Sequence, residues 1–224
     1  MVKYNILCRK GKIDMKRIIS VVLSLAVSIA SLFGLALMIG LLQKKPMYEA
    51  FGLFETILLC MAAIYYFINF LYMRRRKRGV FFPVWKFAIF ISMTASTIYG
   101  WLFLSHFFQI LEEPFKSGVL FCHFVVAILV LLEWLVAEKG HFWPQFTWAG
   151  LAPFVVYIII ALINGYYFNG IGVQGMKYPY PFLNVEQLGL PLVLETCGLM
   201  VLALFLYCRL VIFMDQRLYD SKNS

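Results

Sequence analysis

Residues Ser117 to Val136 read SGVLFCHFVVAILVLLEWLV, an almost wholly apolar stretch that nevertheless contains His123 and Glu133. At about 1.5 Å of rise per residue, a helix over this stretch reaches about 30 Å, the thickness of a bilayer's hydrocarbon core. Lipid cannot hydrogen-bond an open backbone, so the stretch has to be helical. Each ionisable group within it carries an insertion penalty of roughly 2.5 to 3.5 kcal/mol unless a partner or water compensates. The fourth apolar segment of the chain is therefore read as a membrane span with a site on it.

The remainder of the chain agrees. Its 224 residues are 62% hydrophobic and only 14% charged, with a mean hydropathy of +0.82, a composition that excludes an ordinary soluble domain. The predicted class is all-α, a single-domain integral membrane bundle of six transmembrane helices over 18–42, 50–73, 84–104, 117–136, 146–163 and 190–214. It is preceded by a basic tail, 1–17, and followed by a second tail, 215–224. The first run is longer than the apolar core of a signal peptide and no small-x-small cleavage site follows, so it is expected to be a retained helix.

The net charge of +9 comes from basic residues beside apolar runs, as in Arg74-Arg75-Arg76-Lys77-Arg78, where they orient a membrane protein; nucleic acid is not an expected partner. Sixteen of the 20 Lys and Arg fall on the side that holds both termini, against Lys44, Lys45, Lys116 and Lys177 on the other. That bias predicts cytoplasmic termini in a multi-pass protein of the plasma membrane, with membrane lipids as its surroundings. Cys8, Cys60, Cys122, Cys197 and Cys208 lie mostly in or beside apolar segments and read as packing residues rather than a disulfide framework. No motif sets an oligomeric state.

Topology gives each buried polar group a depth. Glu55 and Thr56 lie about two turns in from the outer start of the second span, and His123 about two turns in from that of the fourth. Thr97 comes about two turns before the outer end of the third, and Glu195 sits one to two turns into the sixth. At 100° per residue, Glu55, Ala62, Tyr66 and Asn69 form one stripe facing the bundle interior. His123, Val130 and Trp134 share a face, whereas Glu133 turns about 80° away and is assigned to a separate cytoplasmic-side cluster with a Lys or Arg partner. His106 and His141 fall at span ends and are read as solvated. Glu195, four residues after Pro191, is also explained by snorkelling to the interface.

Thr56, His123 and Glu55 together supply a hydroxyl, a base and a third group to orient the base, which is what nucleophilic catalysis asks for. A lone buried histidine that only hydrogen-bonds a neighbouring helix is the competing reading. One mid-span histidine is too few for a metal centre or a b-type haem, so neither metal nor cofactor is expected.

Ahead of the last span stands YPYPFLNV, Tyr178 to Val185. Proline fixes φ and biases its predecessor away from helix, so this segment is predicted to be a stiff aromatic hairpin or lid. The segment, the final apolar helix, His123 and the Leu132-Glu133-Trp134 run together resemble the bacterial Pr-six-Pr membrane family. That family is related to the animal androgen-induced and androgen-dependent TFPI-regulating proteins, and the resemblance covers roughly Phe51 to Leu218. It implies a six-helix membrane protein and, from the animal members, a threonine hydrolase of fatty acid esters of hydroxy fatty acids that needs one Thr and one His. The family's His falls on His123 and its acidic residue before Trp on Glu133. Its aromatic-Phe-Thr run falls on Phe54-Glu55-Thr56, with Glu55 at the Thr position and Thr56 one residue later. The resulting expectation is a lipid-ester hydrolase with Thr56 as nucleophile, His123 as general base and Glu55 orienting it. Tyr66, Thr97, Tyr178, Tyr180 and Glu195 are expected to bind a fatty-acyl ester substrate. The alternative is a non-catalytic lipid or small-molecule binder, or a proton-coupled carrier, using the same Glu55 and His123.

Overall fold

The computed structural model describes residues 2–42, 48–75, 80–103, 111–113, 115–137, 139–168, 170–172 and 175–223. Lys44, Lys45, Arg76–Gly79 and His106 lie outside the described residues. Among the described residues every regular element is helical. The helices are α1 (Val2–Met38), α2 (Phe54–Arg75), α3 (Pro83–Phe103), α4 (Phe115–Val136), α5 (Thr147–Tyr167), the single turn α6 (Val185–Leu188) and α7 (Leu190–Asn223).

Five stretches are long and apolar enough to cross a membrane: Met15–Met38, Phe54–Arg75, Phe115–Val136, Pro144–Tyr167 and Leu190–Ser221. They present apolar side chains outward, among them Ile64, Phe67, Leu131, Leu135, Ile159, Leu199 and Leu206, the surface expected of a bundle solvated by lipid. α3, with Lys86, Ser92, Thr94, Ser96 and Thr97, is more polar because it is the central helix. It packs against α2, α4, α5 and α7, and its nine consecutive residues Phe87 to Ala95 are all buried. A helix enclosed by other helices needs no continuous apolar surface of its own, and Lys86, Thr94 and Thr97 find their partners within the protein.

Close helix approaches occur at small residues. A Cβ on Gly118 would lie 2.7 Å from the backbone of Met38, where α4 crosses the end of α1. A Cβ on Gly150 would come 2.8 Å from Cys208 Sγ, where α5 meets α7. Cys60, Cys122, Cys197 and Cys208 are free thiols.

Two ends depart from the sequence-based expectation. The basic N-terminal stretch is helical from Val2 onward and continuous with the apolar part of α1; it contains no proline, and Lys and Arg are good helix formers. α7 likewise runs on through the expected C-terminal tail to Asn223. It is fixed there by Asp215, a buried residue whose Oδ2 accepts the backbone N–H of Gly140 at 2.8 Å and of Phe142 at 3.2 Å in the α4–α5 connection.

Within α4, residues Cys122–Val126 form a π turn in which the Ala127 N–H reaches back to the Cys122 carbonyl. Such turns insert one residue into an α-helix and recur at functional positions. This one contains His123.

Candidate functional site

Three helices and the aromatic loop converge at the end of the bundle where α2 begins. Glu55, in the first turn of α2, points across to α4, where its Oε1 lies 3.4 Å from His123 Nε2. Both residues are buried. The other ring nitrogen, Nδ1, lies 3.3 Å from Thr97 Oγ1 on α3. The loop supplies Tyr180, whose hydroxyl donates to Glu55 Oε2 and accepts the Phe54 N–H at 3.1 Å.

The direction of these bonds follows from proton counting. Thr97 Oγ1 is 2.8 Å from the Met93 carbonyl, so its one proton is directed there and His123 Nδ1–H is the donor to Thr97. The proton of Tyr180 is directed to Glu55 Oε2. The contact between Glu55 Oε1 and His123 Nε2 then needs one further proton, because otherwise a carboxylate would face a nitrogen lone pair. With that proton shared, Glu55 and His123 form a pair of zero net charge, which a site without bulk water requires.

Thr56 is brought to the same level but not to the same use. One residue beyond Glu55, it is turned by about 100°, and its hydroxyl donates to the Ala50 carbonyl at 2.5 Å. The hydroxyl that meets the imidazole is that of Thr97.

The proline-aromatic loop is a plug rather than a free hairpin. Tyr178, Tyr180 and Leu183 are all buried, and the Tyr178 ring lies where a side chain on Gly165 of α5 would be. Tyr157 of α5 donates to the Gly52 carbonyl at 2.7 Å and places its ring 6.0 Å from that of Tyr180. Burial, then the nearby Glu55 carboxylate, push the Tyr180 phenol well above its ordinary pKa, so it remains a donor.

Behind the plug is a cavity of about 30 Å³, lined by Glu55, Ser92, Ser96, Tyr99, Tyr157 and Tyr180 with apolar walls from Phe54, Phe154, Phe182, Met200 and Leu204. The buried hydroxyl of Ser92 has no hydrogen-bond partner. Tyr157 also lines a second space, an apolar groove of about 580 Å³ between α2, α3 and α5, with Ile57, Val84, Trp85, Ala152 and Val156 among its walls.

Tyr66 and Glu195 stand apart from this site. The stripe Glu55, Ala62, Tyr66, Asn69 is buried throughout, as its spacing predicts, but Tyr66 is eleven positions along α2 from Glu55, about 16 Å. Glu195 is exposed on α7. Glu133 belongs to a separate cluster: Lys86 Nζ approaches its Oε2 to 2.7 Å, and Ser20 Oγ donates to its Oε1 at 3.0 Å.

The sequence reading missed one polar face. Ser20, Ser24, Ser28 and Ser31 of α1 are all buried along one side of that helix. Ser24 Oγ accepts from Asn69 Nδ2 at 3.1 Å, and Ser28 donates to the Ala63 carbonyl at 2.9 Å. Their spacing of four, four and three residues was the available signal. Among the described residues, no group of three or more His, Cys, Asp or Glu side chains is placed to hold a metal ion.

No family model, no curated protein and no solved structure matches the chain.

Proposed function

We propose that the chain is a six-span protein of the plasma membrane with both termini cytoplasmic, and that Glu55 and His123 form a proton-exchanging ligand site of the carrier or binder type. The Lys/Arg distribution supports the orientation, with α3 counted beside the five apolar helices. The function rests on one observation: the carboxylate of Glu55 lies 3.4 Å from the buried His123 imidazole and lines a cavity that also holds the unpartnered hydroxyl of Ser92. A carboxylate in such a place is neutralised either by a proton or by a ligand that takes its place. The test is proton exchange by purified protein in liposomes carrying a pH-sensitive dye. Wild-type protein is expected to exchange protons on ligand addition and Glu55→Gln to lose this; equal exchange by the two would remove the reading.

The 3.3 Å contact between Thr97 Oγ1 and His123 Nδ1 favours a second reading, a lipid-ester hydrolase, which the resemblance to the six-helix family also implies. Loss of the shared proton would let Nε2–H donate to the Glu55 carboxylate and leave Nδ1 free to take the Thr97 proton, the order of a hydroxyl–imidazole–carboxylate triad. Thr97 then replaces Thr56 as the nucleophile, with an acyl chain in the 580 Å³ groove. Hydrolysis of fluorogenic acyl esters tests it. Turnover that survives Thr97→Ala, Thr56→Ala and His123→Ala alike sinks the idea.

A further inference from the structure

We infer that the cavity beside Glu55 binds a small organic ammonium group, either a free primary amine or the amine headgroup of a lipid, in exchange for the proton shared with His123. The inference rests on the carrier or binder reading and names its ligand class. The composition of the walls carries it. The cavity is lined by one carboxylate, that of Glu55, together with the aromatic residues Phe54, Tyr99, Phe154, Tyr157, Tyr180 and Phe182. Among these rings Tyr99 stacks on Phe154 with centroids 6.2 Å apart, and Tyr180 on Phe182 at 5.6 Å.

Aromatic faces attract a desolvated cation through the ring quadrupole, and quaternary or alkylated ammonium groups are the ligands best matched to such walls. A bare divalent metal cation asks instead for several carboxylate or carbonyl oxygens, and these walls offer a single carboxylate beside neutral hydroxyls. Ser92, buried and without a partner, offers an acceptor for an ammonium N–H. The cavity of about 30 Å³ is enough for one or two water-sized groups, which fits a primary or singly methylated ammonium head while the plug is closed.

The titratable groups around Glu55 are His123 and Cys122 of α4, Tyr99 of α3, Tyr157 of α5 and Tyr180 of the plug; α7 presents only Met200 and Leu204 to the cavity. Of these, only His123 competes for the carboxylate as a cation. Entry of an ammonium group would therefore displace the shared proton and leave the site with the same net charge. Binding should then tighten with rising pH by about tenfold per unit wherever the pair holds its proton, with about one proton released per ligand bound.

The experiment is calorimetric titration of the purified, full-length protein with methylammonium chloride, in two buffers of different ionisation enthalpy and at several pH values. The expected result is saturable binding, proton release, loss of binding in Glu55→Gln, and weakening of about five- to thirty-fold in Phe154→Leu, which removes one ring and keeps the carboxylate. Phe154→Leu gives the reading that survives if Glu55→Gln does not fold. Repeating the titration in nanodiscs of phosphatidylethanolamine and of phosphatidylglycerol separates the sources. Competition from the former only identifies a lipid headgroup, and its absence identifies a free amine. Absence of methylammonium binding by folded wild-type protein, or binding indifferent to Phe154→Leu and pH, overturns the proposal. Proton exchange that persists in the liposome assay would then leave the proton-exchanging site standing without this ligand.

Discussion

Lys86 of α3 and Glu133 of α4 meet at 2.7 Å inside the bundle, with side chains only 3% and 0% exposed. Ser20 of α1 donates to the same carboxylate, so one buried anion joins three helices. Removing either charge leaves the other without compensation where water cannot reach it. Glu133→Gln and Lys86→Met are each expected to lower stability by about 3–5 kcal/mol, whereas Lys86→Met combined with Glu133→Leu should recover most of the loss. Denaturant unfolding in detergent of the two single variants and the double variant measures this. Additive losses would show that the pair is not coupled.

Tyr180 carries two hydrogen bonds through one oxygen, and Tyr180→Phe removes both while keeping the ring. The expected cost is about 1–3 kcal/mol, because the Phe54 N–H and Glu55 Oε2 are left buried. The sign of the pH effect follows from the raised phenol. An acid whose folded pKa lies above its unfolded value near 10 contributes stability that is intact below that value and is lost as pH climbs past it. The alkaline fall in melting temperature should therefore be shallower in Tyr180→Phe than in the wild type, which parallel melts across the alkaline range would show.

The plug can be released by a substitution outside Glu55 and His123, although undocking also withdraws the Tyr180 hydroxyl from Glu55. A side chain at Gly165 would occupy the place of the Tyr178 ring. Gly165→Leu is expected to undock the loop and to open the Lys177 peptide bond to trypsin, in a protein whose melting temperature falls by only a few degrees. A cleavage rate equal to that of the wild type would mean that Tyr178 does not hold the loop closed.

Asp215 closes the opposite end. Its carboxylate caps two backbone N–H groups of the α4–α5 connection, so Asp215→Ala leaves both without a protein acceptor. A loss of about 1–3 kcal/mol is expected, together with faster amide exchange at Gly140 and Phe142. Hydrogen exchange followed by mass spectrometry reads the second effect directly.

Much of this arrangement could be read from residue order. Apolar run length located α2, α4, α5 and most of α7, and the 100° rule placed Glu55, Ala62, Tyr66 and Asn69 on one buried face and separated Glu133 from His123. Depth arithmetic also put Thr97 level with His123, although it could not rank Thr97 above Thr56 as the neighbour of the imidazole. That choice depends on rotation about the helix axes and on a π turn, which shifts register and leaves no mark in a hydrophobic pattern. The docking of Tyr178 against Gly165 was hidden because it joins residues from two elements through the absence of a side chain. The serine face of α1 was legible in principle, but an apolar run with scattered serines looks like any other span until its partner helix is known.

In a regular membrane helix, deleting one residue turns everything beyond it by about 100° and pulls it about 1.5 Å toward the cut, which scrambles every downstream contact. α4 differs because Cys122–Val126 already holds a supernumerary position. Removing one of Phe124 or Val125, both of which face outward, would leave a continuous α-helix with its two halves in phase. The helix that bears His123 thus has slack in its numbering just where the histidine sits. A shortened protein that still folds would close the turn that carries the imidazole while keeping the Lys86–Glu133 ion pair.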